Sequence, residues 1–229
     1  MVEKLTRDAI ARAGMRLLNV GGIEGITTRA LAAELGVRSP TLYWHVKSKQ
    51  EILRAMAVVM STEAAASVTA ADRRAPWEQC LTSWAQALRA AMLSHRDGAR
   101  VFAGSFAADP ATFDVTESAL LALQDAGVPP ELAAQCIILL RHFVVGFCLE
   151  EQALTELRYS EDPDRLNELT AAVDPTRFPL TTQALPTILG TDQEQRFQLA
   201  MRITLSGIAT LITESPHAKK STRRGRPSR

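Results

Sequence analysis

Cysteine is scarce in this sequence of 229 residues: there are three, at positions 80, 136 and 148. An odd number argues against a disulfide framework, and no two of them have the close spacing of a metal site. All three lie among apolar residues. We therefore predict buried, reduced thiols in a cytoplasmic protein that has no metal site and no cofactor.

Signal peptides and long uninterrupted apolar runs are also missing from the sequence. A helix that crosses a bilayer needs about 20 consecutive, predominantly apolar residues. The longest apolar stretches here are interrupted by charged and polar side chains, so we expect no membrane partner.

Enzyme motifs are equally scarce. The triplet His95-Arg96-Asp97 is that of the protein-kinase catalytic loop, but no glycine-rich loop and no DFG motif accompany it. We interpret the triplet as a capped turn that opens a short helix. No nucleophile and base stand together in a known motif, and no phosphate loop occurs. An enzyme that acts in an internal cavity is therefore the disfavoured alternative to a protein that binds nucleic acid.

Sustained alternation of apolar and polar residues is absent, which argues against β-strands. Apolar residues instead recur at helical spacing along most of the chain, which predicts an all-α fold. The longer predicted helices cover residues 3–20, 49–67, 76–93, 131–157 and 192–213, and short helices are predicted near 97–103 and 110–126. Residues 158–180 are polar and contain proline, so we predict a loop or a weak helix there.

Net charge is small, at +1, but the charges are unevenly distributed. Residues 1–50 hold eight Lys/Arg and four Asp/Glu, and the tail from 217 holds six Lys/Arg and no acid, whereas the middle is acidic. A basic end on an acidic body is typical of a protein that binds phosphates. We predict a head over residues 1–48, a body over 49–214 and a basic, disordered tail over 215–229. The tail motif RRGRP resembles an AT-hook; non-specific phosphate affinity is the simpler interpretation, and an architectural DNA binder the alternative function.

Residues 27–49, TTRALAAELGVRSPTLYWHVKSK, predict two short helices joined by a tight turn. Thr27 or Thr28 can cap the first helix, and Gly36 suits the left-handed position that follows it. Ser39 would cap the second helix, and Pro40 would take its first position.

The second of these helices is predicted over residues 41–46. Leu42 and Val46 lie four residues apart and can face the core. The side chains left to face outward are Thr41, Tyr43, Trp44 and His45. This hydroxyl, aromatic and basic surface is typical of a recognition helix in the DNA major groove. The alternative, that the aromatic residues are ordinary core residues, is disfavoured by the turn glycine and the Ser-Pro start.

Residues 131–157 form the most apolar long segment, with apolar side chains almost all round the helix. Such a helix must be buried on several sides. Because a chain of this size has limited core to cover it, we predict a subunit interface.

Three segments carry a family resemblance: VGGIEGITTRALAAELGVRSPTLYWHVKSKQEIL in the head, and MLSHRDGARVFAG and HFVVGFCLEEQ in the body. Through them the chain resembles the tetracycline-repressor (TetR) family. The resemblance implies an all-α homodimer with a helix-turn-helix head and a ligand-binding body. It also implies an interface bundle of residues 131–157 and 192–213 from both chains. Such proteins repress transcription at palindromic operators and release double-stranded DNA when a small molecule binds.

The resemblance also implies which residues contact DNA: Thr27, Thr28, Arg29, Ser39, Pro40, Thr41, Tyr43, Trp44, His45 and Lys49. Tetracycline repressors have Gln where this chain has Ser39. Because Gln can bond an adenine edge with two hydrogen bonds and Ser cannot, we expect a different operator sequence.

The implied ligand site departs further from the tetracycline repressors. Phe102 replaces the histidine that coordinates drug-bound magnesium, and Ser105 and Phe106 replace a threonine and an arginine. Trp84 replaces an asparagine, Ala119 replaces a glutamine, and Glu150 is retained. The predicted ligand-binding set is Trp84, Leu88, Phe102, Ser105, Phe106, Ala119, His142 and Glu150.

Two members of that set have alternatives: His142 as a core or interface residue, and Glu150 as the solvated end of a helix. One carboxylate without the imidazole is a poor magnesium site. We therefore predict an apolar, aromatic effector bound without metal. The alternative is a repressor of an efflux gene that responds to metal-chelated tetracycline.

Overall fold

The computed structural model describes residues 5–105, 109–157, 167–168, 170–190 and 192–214. Its α-helices are α1 (Arg7–Gly21), α2 (Thr28–Glu34), α3 (Ser39–Tyr43), α4 (Lys49–Ser67), α5 (Trp77–Leu93), α6 (Gly98–Phe102), α7 (Pro110–Asp125), α8 (Pro130–Leu157), α9 (Pro179–Ile188) and α10 (Gln193–Glu214). Single 3₁₀ turns occur at Ile23–Gly25 and Asp72–Arg74. No strand occurs in the described residues, and the predicted all-α fold is confirmed. The predicted tail over 215–229 and the ligand residue Phe106 lie outside the described residues.

The head is formed by α1, α2 and α3, packed on the first turns of α4. Fully buried apolar side chains from all four helices meet there, among them Ile10, Leu18, Leu31, Leu42 and Ile52. Burial of one such side chain contributes about 1.5–3 kcal/mol to stability. The three short helices of the head therefore depend on their shared core, since none of them is long enough to be stable alone.

Threonine and serine side chains begin several of these helices. The Oγ1 of Thr6 accepts from the N–H of Ala9, and the Oγ1 of Thr27 accepts from the N–H of Ala30. Ser48 caps α4 in the same way. Gly36, just after α2, has φ +64°, the left-handed conformation that the sequence predicted.

The body is formed by α4 to α8 with α10 along α8. Helix α4 belongs to both parts, because it packs on α1 at one end and on α5, α6 and α7 along the rest of its length. Tight packing also fixes the start of α6: a Cβ on Gly98 would lie 2.1 Å from the carbonyl oxygen of Met92. No larger residue fits there without moving α6.

Helix α8 corrects one expectation. By length and composition Pro130–Leu154 could cross a membrane, so the prediction that no apolar run is long enough is wrong. In the fold this segment packs on α5, α6, α7 and α10. Its remaining apolar surface includes Leu139, 62% exposed, and the neighbouring helix α10 exposes Ile203 at 65%.

Helix α9 was not predicted. Pro179 occupies its first turn, Pro186 lies inside it, and Leu185 is its buried residue. The internal proline and the mostly exposed side chains hide the helical pattern, because one buried position in ten gives no periodicity to read.

Candidate DNA interface and effector cavity

The outer surface of α3 carries the predicted recognition side chains. Leu42 and Val46 are buried, as the spacing predicted, whereas Tyr43 is 52% and Trp44 88% exposed. Thr41 is exposed as well, and His45 is half-buried. Because so little of its surface is buried, the Trp44 side chain contributes little to the stability of the head core. Its position on a short helix beside a tight turn is that of a side chain meant for a partner.

The start of α3 differs from the sequence prediction. The helix begins at Ser39, two residues before the predicted start, and Arg38 is its N-cap residue, without a side-chain hydrogen bond. The prediction that Ser39 caps this helix is wrong, because Ser39 already has helical backbone. Pro40 lies in the first turn, as predicted. Ser39 is half-buried and Pro40 exposed.

The remaining predicted DNA contacts lie at helix starts beside α3. Thr27 and Arg29 are exposed at the start of α2, and Thr28 is half-buried. Lys49 is the first residue of α4, and its Nζ donates to the carbonyl oxygen of Ile23 at 2.9 Å. This hydrogen bond holds the ammonium against the 3₁₀ turn that follows α1, where it adds positive charge to the head.

Head and body are joined by hydrogen bonds from the kinase-like triplet. Asp97 accepts from the N–H of Ile23 at 2.7 Å, and Arg96 donates to the carbonyl oxygen of Val20 at 3.2 Å. Asp97 stands at the N-cap position of α6 but makes no side-chain cap, and its φ is +54°. The prediction of a capped turn is therefore wrong, because the Asp97 carboxylate does not cap α6 and instead accepts a hydrogen bond from the head. From the body side, Gln152 of α8 donates to the carbonyl oxygen of His95 at 2.8 Å.

The imidazole of His95 extends this junction. Its Nε2 lies 3.0 Å from a carboxylate oxygen of Glu63 on α4, and its Nδ1 lies 3.3 Å from the side-chain nitrogen of Asn19 on α1. Helices α1 and α4 thus both contact the ring of His95, which lies in the turn between α5 and α6. The sequence pattern had no signal for these pairs, because they are separated by 32 and 76 positions.

A cavity of about 260 Å³ lies inside the body between α4, α5, α7 and α8. Three of the predicted ligand residues line it: Trp84, Leu88 and Phe102. Further apolar lining comes from Phe113, Leu120 and Ile137, among others. The cavity therefore offers a large apolar and aromatic surface to a small molecule.

The other predicted ligand residues are placed elsewhere. Ser105 is buried and its Oγ donates to the carbonyl oxygen of Val101, while Ala119 is buried behind the lining. His142 and Glu150 are exposed on α8. The structure therefore brings Trp84, Leu88 and Phe102 together and leaves the other described members outside the lining of this subunit.

Four polar lining residues were missed by the sequence reasoning, Ser61, Thr112, Thr116 and Arg141. Arg141 Nη2 donates to the carbonyl oxygen of Ser105 at 2.6 Å, and its guanidinium lies 5.0 Å from the ring centroid of Phe102. Burial lowers the pKa of the Arg141 guanidinium. Ser61 Oγ is buried without a hydrogen-bond partner. A lone arginine in a mostly apolar helix gave no sequence signal that its side chain turns into a cavity.

Residues 10–56 match the family described as "Bacterial regulatory proteins, tetR family", and residues 70–212 match "Tetracyclin repressor-like, C-terminal domain". The chain belongs to the TetR family. It is 34% identical, over 213 residues and 93% of each chain, to the tetracycline repressor protein class D of Escherichia coli.

Solved structures agree with this assignment. A possible TetR family transcriptional regulator from Streptomyces coelicolor A3(2) superposes with a TM-score of 0.76 at 33% identity, covering 90% of this chain and 99% of that one. ActR from Streptomyces coelicolor, in complex with (S)-DNPA, superposes with a TM-score of 0.78 at 26% identity, covering 91% and 98%.

The TetR-family chain is thus a ligand-responsive transcriptional repressor that binds operator DNA and acts as a dimer. These parts of the sequence prediction are confirmed. The family consists of transcriptional regulators, which are generally not enzymes.

Proposed function

We propose that this repressor reads a palindromic operator with α3 of both subunits and leaves it when a mainly apolar, aromatic molecule fills the cavity of the body. The observation that carries the proposal is the lining of that cavity. Its residues include Trp84, Phe102 and Phe113, and within the described part of the chain none of the lining residues is Asp, Glu, His, Cys or Lys. Affinity in such a pocket comes from buried apolar area, at about 25 cal/mol per Å² before ordering costs.

Magnesium-chelated tetracycline is the second candidate, favoured by the name of the class D relative. The residues present do not fit it. Mg²⁺ prefers oxygen ligands, above all carboxylates. The cavity presents the ring of Phe102 and the cation of Arg141 instead. The described residues hold no group of three His, Cys, Asp or Glu that could bind a metal ion. We therefore propose recognition without metal.

Helix α4 is our proposed route from the cavity to DNA. Its residues Ser61, Ala64 and Ala65 line the cavity, and its first residue, Lys49, bonds to the head. Phe102 ends α6, whose N-cap residue Asp97 bonds to the head as well. A ligand releases DNA only if it favours the arrangement in which these helices hold the two heads out of register with the grooves.

The DNA contacts that we propose are those of the sequence analysis, centred on Tyr43, Trp44 and Thr41, with Lys49 at a phosphate. We propose the domain division near residue 48, where Ser48 caps α4, and an interface bundle of α8 and α10 from both subunits. The exposed Leu139 and Ile203 support that bundle, since apolar patches of this kind mark subunit contacts. We propose the cytoplasm, where the DNA is, as the site of action.

The experiment measures release of operator DNA by fluorescence anisotropy. Aromatic compounds are added to the protein–DNA complex with and without a chelator. We expect release by metal-free aromatic compounds and no effect of the chelator. The operator fragment is taken from the gene that lies beside the gene for this protein. Release by tetracycline that requires Mg²⁺ in the wild-type protein would show that the metal-free proposal is wrong.

A further inference from the structure

We propose that Arg141 selects effectors that carry an acidic oxygen, a carboxylate or an ionised phenol, on an aromatic body, and that Ser61 is the second polar contact. This inference rests on the proposed function, because it concerns the same cavity. It adds a charge requirement that an apolar lining does not itself impose.

The first observation is the missing counter-charge of Arg141. Among the described residues the Arg141 guanidinium forms no ion pair, and its hydrogen bond runs from Nη2 to the carbonyl oxygen of Ser105. Of the cavity-lining residues that the structure describes, Arg141 is also the only ionisable one. A guanidinium has five N–H donors, so most of its capacity is open to a ligand.

Arg89 on α5 is the internal comparison. It pairs with Glu151 at 2.8 Å and with Glu194, and both carboxylates raise the pKa of its guanidinium. The fold therefore neutralises Arg89 with two acids, whereas Arg141, which lines the cavity, has no acidic partner among the described residues. Burying a charge without a partner is energetically costly. An arginine that lines a cavity without an acidic partner therefore points to an acidic group on the ligand.

The neighbours of Arg141 suit a flat anion. Its guanidinium stacks over Phe102, 5.0 Å from the ring centroid, and the carbonyl of Ser105 holds one edge. A planar guanidinium fixed in this way presents its remaining N–H groups in the fork that matches a carboxylate. The aromatic walls at Trp84 and Phe113 would cover the body of the same molecule.

Ser61 provides the independent polar group. Its side chain lies on α4, lines the cavity, and is the one buried polar side-chain atom without a partner among the described residues. The lining threonines differ in this respect. Thr112 Oγ1 donates to Asp109, and Thr116 Oγ1 donates to the carbonyl oxygen of Thr112. Buried hydroxyls are normally satisfied, so a ligand hydroxyl or carbonyl is the natural partner of Ser61.

The experiment compares matched probes on the full-length dimer by isothermal titration calorimetry. The probes are 2-naphthoate and anthracene-2-carboxylate against their carboxamides, which have the same shape and no charge. We expect the wild type to bind the carboxylates about tenfold or more tightly than the carboxamides, because a hydrogen bond between two charged groups is stronger than one to a neutral group. Arg141→Met, which keeps the length of the side chain, should bring that ratio close to one.

Arg12→Met is the matched control, since Arg12 lies on α1 in the head and pairs there with Asp8. Arg12→Met should keep the wild-type ratio.

Ser61→Ala should weaken both members of a pair only when the probe carries a second polar group, as 3-hydroxy-2-naphthoate does. Equal binding of acid and amide by the wild type, or an unchanged ratio in Arg141→Met, would overturn the inference alone. Failure of every probe to bind would count against the proposed function too.

Discussion

The carboxylate of Asp97, in the body, accepts a hydrogen bond of 2.7 Å from the backbone N–H of Ile23, in the head. The same carboxylate pairs with Arg100 at 3.0 Å, and its side chain is 7% exposed. A single buried anion therefore fixes the start of α6 against the 3₁₀ turn that follows α1. Phe102, at the other end of α6, lines the effector cavity, so this short helix spans the distance from ligand to head.

Substitution of Asp97 should lower stability by two separable amounts. Asp97→Asn keeps an acceptor oxygen but loses the charge, so we expect a loss of about 1 kcal/mol in the free energy of unfolding, since charge-assisted hydrogen bonds are about twice as strong as neutral ones. Asp97→Ala should cost about 2 kcal/mol more, because it removes the acceptor and replaces Asp, which tolerates a positive φ, with a residue that tolerates it less well. Urea unfolding at equal protein concentration measures both.

Asp97→Gly is the control for the backbone. Glycine lacks the carboxylate but tolerates a φ of +54°. It should therefore be more stable than Asp97→Ala by about 1 kcal/mol, the cost of a left-handed residue. If Asp97→Gly and Asp97→Ala prove equally destabilising, the left-handed conformation at position 97 contributes nothing to the cost of the alanine substitution.

Tyr43 and Lys49 should affect DNA binding in different ways. Tyr43→Ala should weaken binding to the operator by about tenfold or more, as a contact to a base typically contributes about 1–3 kcal/mol, and should leave the salt dependence unchanged. Lys49→Ala should weaken operator and random DNA alike and reduce the salt slope by about 0.9. Anisotropy titrations at several salt concentrations distinguish the two. Wild-type operator affinity in both variants would contradict the assignment of α3.

Ile203 on α10 tests the dimer interface without disturbing the subunit core, because its side chain is 65% exposed in the single subunit. Ile203→Glu should yield helical monomers that do not hold the palindromic operator, since the two half-sites require linked heads. Val20→Glu is the matched control, as Val20 is 82% exposed in the head. Sedimentation velocity and circular dichroism measure the outcome. A dimer that survives Ile203→Glu would place the interface elsewhere.

The three cysteines should be almost inert in the folded protein. Burial raises the pKa of each thiol, and that of Cys148 to about 12. Because only the thiolate reacts, the fraction available at pH 8 is far below that of an ordinary thiol with a pKa of about 8.5. The rate of reaction with DTNB should keep rising from pH 8 to pH 10 instead of levelling off. In urea all three should react at once, and fast reaction of the folded protein at pH 8 would contradict the burial.

Local chemistry made the head predictable. Leu42 faces the core and Tyr43 faces outward because a helix repeats every 3.6 residues, and Gly36 ends α2 because only a residue without a Cβ enters the left-handed region freely. Thr27 caps α2 for a reason equally local, the first N–H groups that a helix leaves unpaired. These effects act within a few residues, so the sequence alone determined them.

Contacts between distant residues were decided by the tertiary structure. The sequence placed Asp97 in a capped turn, whereas the fold turns its carboxylate to Ile23, 74 positions away. The sequence also predicted Ser39 as the N-cap residue of α3, whereas α3 begins at Ser39 itself and Arg38 is its N-cap residue. It also indicated an apolar pocket from Trp84, Leu88 and Phe102 but not the arginine within it. Whether Arg141 on an apolar helix reaches solvent, an acid or a cavity depends on what the other helices pack beside it, and no spacing along one helix contains that information.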